Sequence, residues 1–307
     1  MTNVFKMREI VAGSRKQPQE AHAVKDSMGK TVISCEEIQR VNLEHCVKVL
    51  SKNVPDAEVV ELLQAQSKLH DELMKEDTDK ETTITKEDYE DVLTTLKKKN
   101  KKGYFFLTKS GEMFQKSVYK LCKRMIEEET FPHDFSLTTL YQLWKRKGSR
   151  DDLNNHRYIH MKEWLPRLTE ALTVKLMKDD IIESGTKYQI GGIPGHRVEE
   201  HLIVVKSIIQ LYIYRRSGVI IQLVDIQKFF YSEILRTVMT TLHEANVSRK
   251  AYRGWFKLNE KTEINVATPA GLTKSAYVGE IVAQGSGGAA LASGADVARG
   301  PVHRKPG

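Results

Sequence analysis

The sequence predicts an α+β fold. Apolar residues recur at helical spacing in several long segments, such as 89–96 and 165–176. Shorter apolar runs at 138–143 and 219–224 have the length of strands. The helical and strand-like segments do not alternate as they do in a doubly wound parallel sheet, so α+β is the better prediction.

Residues 1–80 are polar and interrupted, and they predict a mostly helical linker region. Turns are indicated at Met28-Gly29 and Val54-Pro55, and short helices fit 35–50 and 57–75. The charged run 76–80 is typical of a solvated linker and marks a domain boundary.

Two helices are predicted next. Thr85 and Asp88 form a capping-box pattern at the start of the first helix. Its apolar face consists of Tyr89, Val92, Leu93 and Leu96. The apolar face of the second helix consists of Phe114, Val118, Leu121, Cys122 and Met125. The basic run 97–102 between them is too charged for a core, and by itself it predicts a solvated turn.

The second half of the chain mixes both element types. A strand at 138–143 and a turn at Lys145–Gly148 precede a helix at 164–178, with Pro166 in its first turn. A later helix carries Leu202, Val205, Ile209 and Tyr212 on one face, and another carries Ile234, Leu235, Val238, Met239 and Leu242. A weak strand at 263–267 and a Gly/Ala-rich segment at 285–294 follow.

Composition favours a globular protein with a polyanionic partner. The 307 residues carry a net charge of +8, with 40% hydrophobic and 29% charged residues. A basic surface that only keeps the protein soluble is an equally good explanation of that charge. No signal core or run of about 18 apolar residues is present, so we expect an intracellular protein with no membrane partner. Cys35, Cys46 and Cys122 are widely spaced and predict reduced thiols rather than a zinc site.

The almost continuous apolar run 219–224 predicts a buried strand that delivers Asp225 to a cleft. A carboxylate at such a strand end can hold the Mg²⁺ ions that nucleotidyl transfer requires. An Asp in this position can equally cap the helix that follows.

The residues around Asp225 resemble the first palm motif of reverse transcriptases, an Asp followed after three residues by two aromatics, here Phe229 and Phe230. The resemblance implies that Asp225 is a metal ligand and that Phe230 is the steric gate selecting deoxynucleotides. Tyr231 departs from the pattern, because many members of the non-LTR retrotransposon branch have Asp there.

Three further motifs occur in the same order as in that family. Lys145, Arg146 and Lys147 with Gly148, followed by Asn155-x-Arg157-x-Ile159, resemble the fingers motif, in which the Arg clamps the incoming triphosphate. Taken alone, Arg157 would be a surface residue. The segment with Gln189, Gly191, Gly195 and Arg197 is similar to one that packs near the template. Gln284-Gly285 resembles the second palm motif, which contacts the nucleotide sugar, although Gly-Ser-Gly-Gly from Gly285 onward could also be a flexible linker.

The resemblance covers roughly 80–297 and implies the fingers and part of the palm of a right-hand polymerase, with an incomplete antiparallel palm sheet. It divides the chain into the linker region 1–80, a partial reverse transcriptase domain at 81–297 and a disordered tail at 298–307. The implied partners are RNA and DNA template and primer and deoxynucleoside triphosphates, with Mg²⁺ as cofactor. No Tyr-x-Asp-Asp motif follows Gly285, so we expect a catalytically incomplete protein. The alternatives are a non-catalytic nucleic-acid-binding remnant and an inert product of a decayed element.

Overall fold

The computed structural model describes residues 23–50, 57–75, 83–99, 104–184, 195–223 and 235–282, with Gly191 and Ile193. The helices are α1 Cys35–Leu50, α2 Ala57–Lys75, α3 Lys86–Lys99, α4 Phe105–Lys109, α5 Glu112–Glu127, α6 Trp164–Ser184, α7 Val198–Tyr214, α8 Leu235–Glu244 and α9 Arg249–Lys257. The strands are β1 Val24–Lys25, β2 Thr31–Val32, β3 Leu137–Trp144, β4 His156–Met161, β5 Thr262–Thr268, β6 Gly271–Leu272 and β7 Ala276–Gly279.

The predicted caps and turns explain where several elements begin. The Asp88 backbone N–H donates to Thr85 Oγ1 at 3.1 Å, and the Asp88 carboxylate accepts from the Thr85 backbone N–H, so the capping box of α3 is confirmed. The predicted turn at Met28-Gly29 joins β1 to β2, with Gly29 at φ +80°. Pro166 lies in the first turn of α6, where its missing N–H costs no helical hydrogen bond.

The main sheet has the strand order β4-β3-β5-β6, and β7 also pairs with β5. β3 pairs antiparallel with β4, placing Leu143 opposite Arg157 and Tyr141 opposite Ile159. β3 pairs parallel with β5, which requires a long crossover connection, here residues 145–261, that contains β4 and helices α6 to α9. This sheet is therefore mixed rather than wholly antiparallel, and the antiparallel palm sheet implied by the polymerase resemblance stays a prediction.

Helix α1 covers one face of the sheet. Its residues Cys46 and Leu50 are buried against side chains from three strands: Leu140, Tyr158, Ile264 and Val266. Because side chains alternate along a strand, Tyr141, Leu143 and Arg157 point to the opposite face. Tyr141 and Leu143 are 37% and 52% exposed, so we call this the open face of the sheet.

Helix α6 joins the two helical parts of the core. Leu168 and Leu172 pack with residues of α3 and α5, whereas Met177 and Ile181 pack with residues of α8 and α9. The helix was predicted to end at Lys178. It continues to Ser184 because Ile181 extends its apolar face and is buried.

Two groups of buried charges tie the helices together. Glu129, at the end of α5, accepts hydrogen bonds from Arg253 and Lys257 of α9. The Lys162 ammonium lies 3.6 Å from the Glu170 carboxylate and donates to Leu258 O and Asn259 Oδ1, each at 3.0 Å. Two of the three N–H donors of this ammonium are thus hydrogen-bonded, and the Glu170 carboxylate balances its charge as an ion pair.

The sequence-based predictions of burial fail at several positions. Val219–Leu223 was expected in a buried strand, but these residues form no strand, and Ile220 and Leu223 are more than nine-tenths exposed. Helix α7 forms where its apolar spacing predicted a helix, but none of its residues is buried. Phe114 and Leu121 of α5 are also largely exposed. Phe114 keeps one aromatic contact, an edge-to-face arrangement with Phe106 at a ring-centroid distance of 6.5 Å. Within the described ranges, every helix is too short or too polar to cross a membrane.

Candidate nucleic-acid interface

The turn between β3 and β4 presents the predicted basic cluster. Arg146 has φ +55° and Gly148 has φ +72°, so the backbone bends back within a few residues. A Cβ at Gly148 would lie 2.5 Å from Asn155 Nδ2, so any larger residue would have to displace this side chain. The conformation of the turn thus depends on Gly148 and Asn155, both part of the predicted fingers motif.

Two hydrogen bonds across the turn hold Lys145 in place, whereas Arg146 and Lys147 are exposed to solvent. The Lys145 backbone N–H donates to Asn155 O at 2.8 Å, and its ammonium donates to Asn154 O at 2.8 Å. Arg146 and Lys147 are exposed, and neither makes an ion pair with another residue that the structure describes. These two side chains are therefore available to an anion in solvent.

Arg157 of β4 lies on the open face, directly opposite Leu143 of β3. It is exposed and makes no hydrogen bond or ion pair with any side chain in the described ranges. A permanently charged guanidinium beside apolar and aromatic side chains suits a ligand that has both phosphates and a flat ring. Tyr141 and Leu143 supply that apolar surface.

Two titratable groups next to this turn have shifted pKa values, which determine the charges beside the lysines and Arg146. Burial lowers the pKa of His156, whose Nδ1 lies 3.2 Å from Asp152 O, so this imidazole is neutral at pH 7. A hydrogen bond from Ser149, followed by one from Lys25, lowers the pKa of Asp151, which is therefore ionised. The turn thus combines the cations Lys145, Arg146 and Lys147 with two nearby carboxylates, those of Asp151 and Asp152.

The predicted Gly-rich segment is only partly described. Gly191 lies in a turn, and Gly195 has φ +93° just before α7. The Arg197 backbone N–H donates to Glu200 Oε1 at 2.9 Å, which satisfies one free amide at the start of this helix. No hydrogen bond or ion pair among the described residues joins Arg197 to the basic turn. Gln189 lies outside the described residues.

The predicted catalytic residues also lie outside the described part of the chain: Asp225, Phe230, Gln284 and Gly285. Within the described ranges, no group of three His, Cys, Asp or Glu side chains could hold a metal ion. Asp225 remains the predicted Mg²⁺ ligand of this chain.

Sequence reasoning missed Tyr141 and Leu143 as candidate binding residues. The signal was present, because Thr139, Tyr141 and Leu143 alternate with the buried Thr138 and Leu140 along one strand. An apolar run predicts a strand, whereas a two-residue alternation of apolar and polar residues predicts which side chains share a face.

Comparison with protein-family profiles and with curated proteins finds no match for this chain.

Proposed function

We propose that this chain is a reverse-transcriptase-like protein of a non-LTR retrotransposon that binds nucleic acid and deoxynucleoside triphosphates through the turn Lys145–Gly148 and the open face. The observation that carries the proposal is Arg157, an exposed cation without a described partner, on a partly apolar sheet face whose strands lead to the basic turn. The order of the four motifs supports the same family.

In this proposal, the basic turn and the open face make different contacts with the ligand. Arg146 and Lys147 extend from the turn into solvent, where they can neutralise phosphates along a strand. Arg157 and Tyr141 can contact the phosphate and the ring of one nucleotide. Such contacts recognise the sugar-phosphate backbone and stack on any base, so the binding is largely independent of sequence.

The binding test compares charge removal at two places. Arg146→Gln with Lys147→Gln should weaken binding of a single-stranded RNA and lower the slope of log affinity against log salt by about 1.4, because each lost phosphate contact contributes about 0.7. The matched control is Lys116→Gln with Lys120→Gln on the exposed side of α5. Fluorescence anisotropy over a salt series measures both.

Three outcomes contradict the binding proposal. Unmeasurable affinity of the unaltered chain at low salt would favour the inert alternative. Affinity that does not fall with salt would exclude phosphate neutralisation as its source. Equal losses in the two double variants would show that net charge, and not this turn, determines binding.

The catalytic part of the proposal has a separate test. Asp225 is the one residue of this sequence that matches a metal ligand of the family, and a lone carboxylate leaves most coordination positions of Mg²⁺ to water. We therefore expect that the 307-residue polypeptide does not extend a primer on an RNA template. Extension that is lost in Asp225→Ala would refute this expectation, whereas extension that survives the substitution indicates a contaminating polymerase.

A further inference from the structure

The N-terminal hairpin β1–β2 is docked on the segment that follows the basic turn. Val24 and Val32 are buried in a small apolar cluster with Ile38, Val41 and Leu153. The Lys25 backbone N–H donates to Asp151 O at 3.0 Å. The hairpin therefore holds residues 151–153 by apolar packing and by a backbone hydrogen bond.

The Asp151 carboxylate connects this hairpin to the turn. Its Oδ2 lies 3.1 Å from Lys25 Nζ, and its Oδ1 accepts a hydrogen bond from the Ser149 hydroxyl. The two oxygens thus face opposite partners, one in the hairpin and one in the loop directly after Gly148.

A second set of hydrogen bonds continues from Ser149 back to the start of the turn. Ser149 O accepts from Asn155 Nδ2 at 2.8 Å, and Asn155 O accepts from the Lys145 backbone N–H at 2.8 Å. The contacts therefore run from Lys25 through Asp151, Ser149 and Asn155 to Lys145. A substitution at Asp151 should therefore also affect the position of Lys145, the residue that begins the basic turn.

We infer that Asp151 is a positioning residue for polyanion binding, which holds the basic turn in its binding conformation together with Lys25. This inference rests on the proposed function and deepens it. Asp151 is an anion close to a phosphate-binding turn, so its charge alone opposes binding. Positioning of the turn by Asp151 should strengthen binding, whereas its negative charge should weaken binding, so a substitution can distinguish the two effects.

Asp151→Asn is the deciding variant. It keeps the size of the side chain and removes its charge, and the buried contacts of Leu153 with the hairpin remain. If Asp151 acts by position, RNA affinity falls by about fivefold, the loss expected for an ion pair of this exposure. If it acts only by charge, affinity rises. Asp134→Asn, an exposed acid before the opposite end of β3, is the matched control and should change affinity little.

A second pair of variants tests the hairpin side. Lys25→Met and Lys30→Met remove the same charge from the same hairpin, but only Lys25 contacts Asp151. We expect Lys25→Met to weaken RNA binding more than Lys30→Met. We also expect faster hydrogen exchange of the Lys145 amide in Lys25→Met and Asp151→Asn, with an unchanged melting temperature and an unchanged salt slope.

The outcomes separate the inference from the proposed function. If the unaltered chain binds RNA and Asp151→Asn binds equally or more tightly, the positioning role is refuted while the proposed function stands. Equal effects of Lys25→Met and Lys30→Met also refute it. If the unaltered chain does not bind RNA, both fall.

Discussion

Acidification should destabilise the folded chain through His160. This residue lies on β4 opposite Leu140, on the face of the sheet covered by α1, and is only 3% exposed. Burial lowers its pKa to about 3, and the nearby Lys162 ammonium acts in the same direction. The folded state therefore keeps this imidazole neutral at pH values at which an unfolded chain would protonate it.

The sign and the size of the effect follow from the two pKa values. The folded pKa of about 3 lies below the unfolded value of 6.5, so the unfolded state binds more protons between them. The stabilisation is complete above pH 6.5 and is lost progressively as the pH falls toward 3. At 1.36 kcal/mol per pH unit, about 2 kcal/mol should be lost at pH 5 and about 5 kcal/mol near pH 3.

Urea unfolding at about pH 7.5 and about pH 5 measures this loss. His160→Gln removes the titrating group, so its free energy of unfolding should depend on pH by about 2 kcal/mol less than that of the unaltered chain. His70 and His156, whose pKa values are also lowered by burial, are present in both proteins and cancel in the difference. An equal pH dependence in the two proteins would refute the assignment to His160.

Two further substitutions test buried contacts. Glu129→Gln should lower the free energy of unfolding by roughly 2–3 kcal/mol, because it leaves the largely buried Arg253 without its carboxylate. The exposed neighbour Glu128→Gln should cost under about 0.5 kcal/mol in the same urea titration, and equal losses would contradict this. Gly148→Ala should cost roughly 1–2 kcal/mol and speed hydrogen exchange of the basic turn, because of its φ of +72° and the clash with Asn155. Gly111→Ala, at φ −62° with nothing within 4 Å of the added Cβ, is its control, and an unchanged exchange rate in Gly148→Ala would contradict the role of this glycine.

Local patterns predicted the helices better than they predicted burial. The bounds of α1 and α2 are confirmed as predicted, because turn signals and a periodic apolar face define a helix without information from elsewhere. The capping box at Thr85 is confirmed for the same reason. Helix α7 was also found where its periodicity placed it, yet its apolar side chains are exposed. Periodicity predicts which side chains share a face, but burial also requires a partner for that face.

Long-range pairing was the part of the fold that the sequence did not predict. The parallel pairing of β3 with β5 joins residues that are separated by four of the described helices, α6 to α9, and no local pattern specifies it. The run Val219–Leu223 was predicted as a strand but forms none. Its composition is typical of a buried strand, but a strand also needs a neighbour for its backbone hydrogen bonds, and the described residues provide none.

One part of the candidate site could be predicted from local sequence patterns, and the other part depends on the family resemblance. The conformation of the basic turn was predictable in outline, since a basic run ending in glycine indicates a turn, and the exposed position of Arg157 follows from strand alternation. Nucleotide and RNA binding can therefore be argued from Gly148, Asn155 and Arg157 without the family resemblance. Primer extension cannot be argued without that resemblance, because it requires Asp225 and further metal ligands, and only the motif supports Asp225 as a ligand. Binding and extension are thus expected to separate in this polypeptide, and the salt-dependent binding test remains informative whatever the extension assay shows.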